Sequence, residues 1–266
     1  MATILDKLRL DGRVAIVTGA GRGLGRAMSI ALADAGADIV AAARTEGQLE
    51  QTAQQVRATG RRCLVVPTDV TNSAQVNAMV EQAIAEFGRV DILVNNAGGA
   101  TAGYGKVLPD ITDKEWRLGI DTNLTSAFYC TRAVIPHMLR QGGGKIVSIS
   151  SGYGLRGDRN NYMYASAKAG LINFTRSLAL TYARENIQAN CIAPGLFPHS
   201  EQIAQLWRGG KYVPMGRLGR DEELGPAVVF LCSELSNHMT GETLVVDGGG
   251  IAGGQAPAGL APRIPL

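Results

Sequence analysis

The chain has 266 residues, 45% of them hydrophobic, which supports a large core and excludes a disordered or disulfide-dependent protein. The formal charge of +3 comes from scattered residues apart from the pair Arg61-Arg62, so the charge pattern indicates no nucleic-acid partner. Glycine accounts for 34 residues, about 13% against a usual ~7%, without a Gly-X-Y period, which favours tight turns and loops that approach a ligand closely.

Metal, redox and membrane signals are absent from the sequence. The four cysteines lie far apart with no C-x-x-C pair, and the three histidines have no metal-ligand spacing. The sequence therefore predicts no metal site and four buried, reduced thiols. The first thirteen residues are interrupted by charges, and no apolar run approaches about 18 residues. These features predict a cytoplasmic protein that does not enter a membrane.

Short apolar runs alternate with amphipathic stretches along the whole chain. The runs predicted to be strands are residues 14–17, 37–43, 63–66, 90–94, 145–150, 187–192 and 243–246. The stretches predicted to be helices are residues 24–35, 47–59, 73–87, 162–183 and 221–231, with Asn72 as the N-cap of the third. A further long helix is predicted to begin at about 113 or 122 and to end at 139. Because the strands are apolar throughout, both faces of their sheet should be covered by helices. The sequence predicts one α/β domain, residues 1–266, with a doubly wound sheet of about seven parallel strands.

Two stretches interrupt this alternation. Residues 196–218 are predicted to form a substrate flap over the carboxyl edge of the sheet, and residues 249–266 an irregular C-terminal tail. The flap contains Phe197, Trp207 and Tyr212. These aromatic side chains fit either a mostly apolar substrate or packing of the flap itself.

A glycine-rich turn joins the first predicted strand to the first predicted helix. The sequence TGAGRGLG occupies residues 18–25, where the chain must turn sharply and let a pyrophosphate approach backbone N–H groups and the positive end of the helix. This arrangement is typical of a Rossmann-type dinucleotide site, and the alternative is a purely structural turn. The residues predicted to contact the cofactor here are Gly19, Gly21, Arg22, Gly23, Leu24 and Gly25.

The end of the second strand bears on the choice of nucleotide. A carboxylate at this point would bind the ribose 2′-hydroxyl of NAD, but the strand ends in three alanines followed by Arg44. Arg44, helped by Arg22, can form charge-assisted hydrogen bonds to a 2′-phosphate. The sequence therefore predicts NADP(H) as the preferred cofactor, with NAD(H) as the alternative if Arg44 is only a solvated loop residue.

Three side chains have the chemistry of a hydride-transfer site. Tyr164 and Lys168 lie four residues apart in a predicted helix, so they share one face, and Ser151 follows the fifth strand at the carboxyl edge of the sheet. A neighbouring ammonium and a positive nicotinamide would lower the pKa of the tyrosine from its ordinary value near 10, which suits it to proton exchange. The serine hydroxyl can hold the substrate oxygen. Taken alone, the Tyr164–Lys168 pair also fits a structural role.

Together these motifs resemble the short-chain dehydrogenase/reductase family over about residues 10–250, with the β-ketoacyl-thioester reductases as the most similar group. The matching segments are TGAGRGLG at 18–25, Asp69-Val70, NNAG at 95–98, Asn123, Ser151, YASAK at 164–168, Pro194-Gly195 and Val246-Asp247-Gly248. The resemblance implies a catalytic tetrad of Asn123, Ser151, Tyr164 and Lys168. Tyr164 would be the general acid/base and Ser151 would position the substrate oxygen. Lys168 would bind the nicotinamide ribose, and Asn123 would hold a water that links Lys168 to solvent.

The resemblance also implies contacts with the adenosine and the nicotinamide carboxamide. The residues it assigns to them are Asp69, Val70, Asn96, Ala97, Gly98, Pro194 and Gly195. Each has a structural alternative, with Asp69 as the cap of the following helix, the asparagines as turn formers and Pro194-Gly195 as a simple turn.

One position departs from the family pattern. A threonine that usually contacts the carboxamide, four residues after Gly195, is replaced by His199, with Ser200 next. Either Ser200 takes over this cofactor contact or the loop is remodelled. His199 itself is either a substrate ligand or a solvated loop residue.

The leading hypothesis is an NADP(H)-dependent oxidoreductase that interconverts a ketone and a secondary alcohol by direct hydride transfer, with Tyr164 handling the proton. Two alternatives stay open, an NAD-dependent alcohol or diol dehydrogenase and a non-catalytic nucleotide-binding regulator. The resemblance implies a homotetramer or dimer formed through the helices near 122–139 and 162–183. The other expected partner is a small carbonyl or alcohol substrate, with no nucleic acid and no membrane.

Overall fold

The computed structural model describes residues 3–100, 103–198, 200–211 and 213–252. Its strands are β1 Val14–Thr18, β2 Asp38–Ala43, β3 Cys63–Pro67, β4 Ile92–Asn95, β5 Gly144–Ile149, β6 Ile187–Pro194 and β7 Thr243–Val246. They form one parallel sheet in the order β3-β2-β1-β4-β5-β6-β7. The chain changes direction across the sheet between β1 and β4, which places a ligand crevice at the carboxyl edge there. The predicted doubly wound fold is confirmed.

The helices lie close to their predicted positions. They are α1 Gly23–Asp34, α2 Glu46–Ala58, α3 Ser73–Phe87, α4 Asp113–Ile120, α5 Ser126–Gln141, α6 Tyr162–Tyr182, α7 Glu201–Leu206 and α8 Gly225–Cys232. The predicted long helix begins at 113 rather than 122, because Thr112 and Glu115 form a capping box there. It is interrupted by a wider π-helical turn at Asp121–Thr125, which separates α4 from α5.

Two helical details differ from the prediction. The stretch 221–231 opens with a 3₁₀ turn at Asp221–Leu224 before α8 begins. Pro226, near the start of α8, has no N–H to continue an α-helical ladder into that turn. The predicted flap also contains a short helix, α7, which no apolar periodicity in the sequence predicted.

Apolar side chains fill both faces of the sheet. All five residues of β1 and all eight of β6 are buried. One core lies between the sheet and α1, α2 and α8, and a second lies between the sheet and α3, α5 and α6. Coverage on both faces is what the uniformly apolar strands predicted.

A line of polar side chains crosses the sheet on the face covered by α5 and α6. Its members, at paired positions on β4 to β7, are Asn95, Ser148, Cys191 and Thr243. Within the part of the chain that the structure describes, Asn95 Oδ1, Ser148 Oγ and Thr243 Oγ1 are buried without a hydrogen-bond partner. Ser150, two residues beyond Ser148, donates to the backbone carbonyl of Lys168 at 2.8 Å. The polar line therefore lies next to the turn of α6 that carries Lys168.

The polar line should be hydrated, because buried polar atoms in folded proteins are paired, commonly with internal water. We expect water to bridge Asn95 Oδ1 and Ser148 Oγ, so that Ser148→Ala lowers the free energy of unfolding by about 1 kcal/mol and Tm by about 2–4 °C. In a dry line the same change would raise Tm, since it removes an unpaired hydroxyl. Thermal unfolding of Ser148→Ala shows whether Tm falls or rises. Ser177→Ala, which truncates an exposed serine of α6, is the control.

Candidate active site

The turn between β1 and α1 has room for glycine only. A Cβ on Gly25 would collide with the carbonyl oxygen of Gly19, and a Cβ on Gly19 would lie 2.8 Å from the side-chain nitrogen of Asn96. Gly19 also has a φ of 67°, in the left-handed region that favours glycine. Gly19 and Gly25, two of the predicted glycine positions, are therefore required by close approach.

Unpaired backbone amides face out of this turn. Arg22, the N-cap of α1, makes no side-chain cap, and the first amide bonded within the helix is that of Arg26, which donates to the Arg22 carbonyl at 3.3 Å. The amides of Gly23, Leu24 and Gly25 precede it and are directed outward at the positive end of the helix. This set of donors fits the pyrophosphate of a dinucleotide.

The glycine turn is held by residues that follow β4. The hydroxyl oxygen of Thr18 accepts hydrogen bonds from the amides of Asn96 and Ala97, both at 3.0 Å, and the Asn96 side chain donates to the Thr18 carbonyl at 2.8 Å. Asn96 thus fixes the turn in place, while Asn95 instead donates to Thr131 of α5 at 3.1 Å. The structural alternative, that Asn95 and Asn96 form a turn, therefore accounts for part of their role.

Two supports of the turn were not predicted. Arg26 donates to the Gly21 carbonyl and, at 3.1 Å, to the hydroxyl of Thr52 on α2. Thr52 in turn donates to the Ala20 carbonyl at 2.8 Å. The arginine follows the last glycine directly, but the sequence gives no signal that pairs it with a threonine 26 residues away.

The end of β2 lies beside the turn and carries the predicted phosphate ligand. Arg44 and Arg22 are both exposed, and the side chain of neither makes a hydrogen bond or ion pair with another described residue. The carboxylate of Asp69 is bonded by the backbone and hydroxyl of Thr71, and these hydrogen bonds lower its pKa, with a smaller effect from the positive charge of Arg44. Asn72, not Asp69, caps α3, accepting from the amides of the helix's first turn.

Ser151, Tyr164 and Lys168 come together at the carboxyl edge, beyond β5 and at the start of α6. Burial raises the pKa of Tyr164 above its ordinary value, and a hydrogen bond with the Ser151 hydroxyl lowers it in part. The Nζ of Lys168 lies 5.6 Å from the centre of the Tyr164 ring. The sequence predicted that the Lys168 ammonium and a bound nicotinamide would lower the pKa of the tyrosine, whereas in this structure burial is the largest influence and raises it.

Lys168 is held in a buried, polar corner of the site. Its side chain donates to the carbonyl of Ile149 at 2.8 Å, and burial lowers its pKa to about 8. A Cβ on Gly98 would lie 3.1 Å from the Lys168 Nζ and 2.7 Å from the Asn123 Oδ1. Because Gly98 follows Asn96 and Ala97, this contact joins the tyrosine–lysine pair to the glycine turn in one continuous site.

Asn123 lies in the π-helical turn between α4 and α5. Its side chain accepts from the amide of Gly99 at 2.8 Å and donates to the carbonyls of Gly99 and Gly119, both at 3.0 Å. The side chain therefore holds the loop after β4 beside Lys168. Only the family resemblance pointed to this position in the sequence, and the widened turn was not predicted.

The nicotinamide side of the predicted site is formed by the end of β6. The amide of Gly195 donates to Val246 at 2.9 Å, and a Cβ there would lie 2.7 Å from the Cα of Asp247. Ser200 caps α7, with its hydroxyl accepting from the amide of Ile203 at 3.3 Å, and it lines a cleft of about 430 Å³ together with Gly23. Ser200 thus shares a cleft with the glycine turn and also has a local structural role.

Some predictions lie outside the described residues, namely those for His199, Tyr212 and the tail from 253 onward. The described start of the tail is a turn in which the amides of Gly249 and Ile251 donate to the carboxylate of Asp247. No cluster of three His, Cys, Asp or Glu side chains within the described ranges could hold a metal ion. None of the helices described is both long and apolar enough to cross a membrane.

Comparison with known proteins places this site in a family. Residues 13–207 match the short chain dehydrogenase family. The 3-oxoacyl-(acyl-carrier-protein) reductase of Escherichia coli is 39% identical over 246 residues, 91% of this chain and 98% of its own. The L-sorbose reductase of Gluconobacter frateurii, solved with NADPH and L-sorbose, superposes with a TM-score of 0.86 at 31% identity, over 92% of this chain and 98% of that one.

A third relative was solved with the other nicotinamide cofactor. A 7α-hydroxysteroid dehydrogenase in complex with NADH and 7-oxo glycochenodeoxycholic acid gives a TM-score of 0.86 at 32% identity, over 94% of this chain and 98% of that one. The chain belongs to the short-chain dehydrogenase/reductase family. It is an NAD(P)-dependent oxidoreductase of alcohol and ketone groups.

Proposed function

We propose that this protein is an NADP(H)-dependent oxidoreductase that interconverts a ketone and a secondary alcohol, with Tyr164 as general acid/base. The observation that carries the proposal is the continuous site that runs from the outward amides of α1, through Asn96 and Gly98, to Lys168 and Tyr164. A dinucleotide bound along this edge would bring its nicotinamide to the tyrosine and serine hydroxyls. The bound nicotinamide supplies or accepts the hydride.

The hydroxyls of Tyr164 and Ser151 and the ammonium of Lys168 each have a separate role in the proton transfer. Because burial raises the pKa of Tyr164, the phenol keeps its proton at neutral pH and can give it to the oxygen of a ketone under reduction. Ser151 accepts from the amide of Tyr153 at 3.2 Å, so its own proton can be donated to the Tyr164 oxygen or to the substrate oxygen. Lys168 supplies positive charge beneath the tyrosine and stabilises the phenolate left after proton transfer.

Asn123 would complete a path for the proton. Both side-chain N–H groups donate to the Gly99 and Gly119 carbonyls and the side-chain oxygen accepts from the Gly99 amide, so we assign the water to the backbone carbonyl of Asn123 in the π-helical turn. Such a water next to Lys168 would return a proton from solvent to the lysine amine, once the ammonium has given its own proton to the Tyr164 phenolate. Asn123 then acts on the tyrosine through Lys168.

The preference for NADP(H) rests on the residues at the end of β2. The strand ends at Ala43 with no carboxylate at its tip, and the exposed guanidinium of Arg44 follows with no hydrogen-bond or ion-pair partner among the described residues. With Arg22 across the turn, Arg44 can bind a 2′-phosphate by charge-assisted hydrogen bonds. The 7α-hydroxysteroid dehydrogenase was solved with NADH, so an NAD-dependent alcohol dehydrogenase is the second candidate.

A cofactor titration followed by a substrate screen tests this function. We expect the purified protein to bind NADPH more tightly than NADH and to oxidise it in the presence of a ketone, with loss of reduced-nicotinamide absorbance. Binding of NADH alone would favour the second candidate. Tight binding without turnover of any ketone or alcohol would favour a non-catalytic nucleotide-binding regulator.

The proposal includes the setting in which the enzyme works. We place it in the cytoplasm as a single-domain subunit of a homotetramer or dimer. Exposed apolar side chains on α4 to α6, among them Trp116, Leu118, Phe128 and Leu180, support burial against another subunit. Sedimentation or light scattering at micromolar concentration measures the assembly directly.

A further inference from the structure

The loop between Ser151 and α6 places an unpaired positive charge beside the reaction site. Arg156 is exposed, and within the described ranges its guanidinium makes no hydrogen bond and no ion pair. Arg156 instead lies against an aromatic ring: its guanidinium carbon is 5.7 Å from the centre of the Tyr153 ring. A guanidinium that no carboxylate engages is available to an anionic ligand.

Tyr153 connects this charge to the reacting groups. Its amide donates to the Ser151 hydroxyl at 3.2 Å, and burial raises the pKa of its half-buried side chain, with smaller effects from the charges of Asp158, Arg156 and Tyr164. Tyr153 therefore links Arg156, which lies against its ring, to the hydroxyl of Ser151, which its amide contacts. Ile251 adds an apolar contact to the same loop, 3.2 Å from the position of a Cβ on Gly152.

The acidic residue of this loop is not paired with the arginine. Asp158 lies two residues further on, and its charge acts on the pKa of Tyr153 more strongly than that of Arg156, but its carboxylate accepts from the side chain of Asn161 at 2.9 Å and forms no ion pair with Arg156. Arg159 is a second exposed arginine of the loop, and it has no aromatic contact among the described residues. The loop therefore has two exposed arginines, and Arg156 is the one that lies against the ring of Tyr153.

We propose that Arg156 binds a carboxylate of the substrate, so that the enzyme acts on oxo acids and hydroxy acids whose carboxylate is separated from the reacting carbon by an apolar segment. The ketone oxygen would lie at Ser151 and Tyr164, the apolar segment against Tyr153, and the carboxylate on Arg156. This inference rests on the proposed function and adds the substrate class to it. Arg156 is a specificity residue in this arrangement and touches no reacting atom.

Matched acid and amide substrates test the inference. We use 4-acetylbenzoate with 4-acetylbenzamide, and 6-oxoheptanoate with its amide, because each pair differs in charge and hardly in shape. The wild-type enzyme should have a KM about 10-fold lower for at least one acid than for its amide. Arg156→Ala should bring that ratio to about 1, Arg156→Lys should restore part of it, and Arg159→Ala should keep the wild-type ratio.

The possible outcomes distinguish failure of this inference from failure of the proposed function. Turnover of ketones with no preference for any acid, or a preference that survives Arg156→Ala, overturns the inference and leaves the proposed function standing. The same holds if Arg159→Ala removes the preference as fully as Arg156→Ala does. A wild-type protein that binds NADPH and turns over no ketone, charged or neutral, overturns both.

Discussion

Tyr164→Phe should lower kcat by about 10²- to 10⁴-fold while the Kd for NADPH stays within about twofold of the wild type. In the proposed mechanism the phenol is the proton donor, and a phenylalanine ring keeps the packing against Lys168 while removing the hydroxyl bonded to Ser151. Steady-state kinetics and fluorescence titration of the cofactor measure the two quantities on the same preparation. Their separation distinguishes a lost proton donor from a damaged fold.

A neighbouring tyrosine provides the matched control. Tyr162 lies two residues earlier on the same helix, and its hydroxyl makes only a 3.4 Å hydrogen bond to Asn160. Tyr162→Phe should therefore keep kcat near the wild-type value. If both variants lose turnover alike, or if Tyr164→Phe remains active, Tyr164 is not the acid and base of this reaction.

Arg44→Asp should weaken NADPH binding by about 10- to 100-fold and leave NADH binding equal or slightly improved. The substitution removes a guanidinium from the place of the 2′-phosphate and supplies a carboxylate that can accept from a ribose 2′-hydroxyl. Because the side chain is exposed and has no hydrogen-bond or ion-pair partner among the described residues, the change should not disturb the fold. Titration with both cofactors gives the ratio of the two Kd values.

An arginine of α2 serves as the reference for this prediction. Arg57 is similarly exposed and forms a surface ion pair with Glu50 at 3.2 Å, away from the end of β2. Arg57→Asp changes the net charge by the same amount and should weaken both cofactors only slightly through long-range electrostatics. Equal losses of NADPH and NADH affinity in Arg44→Asp would show that Arg44 does not select the 2′-phosphate.

The sheet and its glycine turn could be predicted because strong local rules decide them. Uniformly apolar runs separated by amphipathic stretches determine a covered parallel sheet, and glycines at 19 and 25 are needed where backbone atoms nearly touch. Tyr164 and Lys168 follow from helical spacing, which places them on one face whatever else surrounds them. In these regions local sequence and tertiary structure require the same residues.

The remaining features depend on contacts between distant segments. The link from Arg26 to Thr52, the hold of Asn123 on Gly99 and the polar line from Asn95 to Thr243 each join residues far apart in sequence. The pKa of Tyr164 is likewise a result of burial, which spacing alone does not give. A short helix such as α7 carries too few residues for a periodic signal.

A crystal structure of the protein with bound NADP⁺ tests the central claim most directly. We expect the pyrophosphate on the amides of Gly23 to Gly25, the 2′-phosphate on Arg44, and the nicotinamide ring in contact with the hydroxyls of Tyr164 and Ser151. A dinucleotide bound elsewhere, or bound at the glycine turn with its nicotinamide directed away from Tyr164, would contradict it.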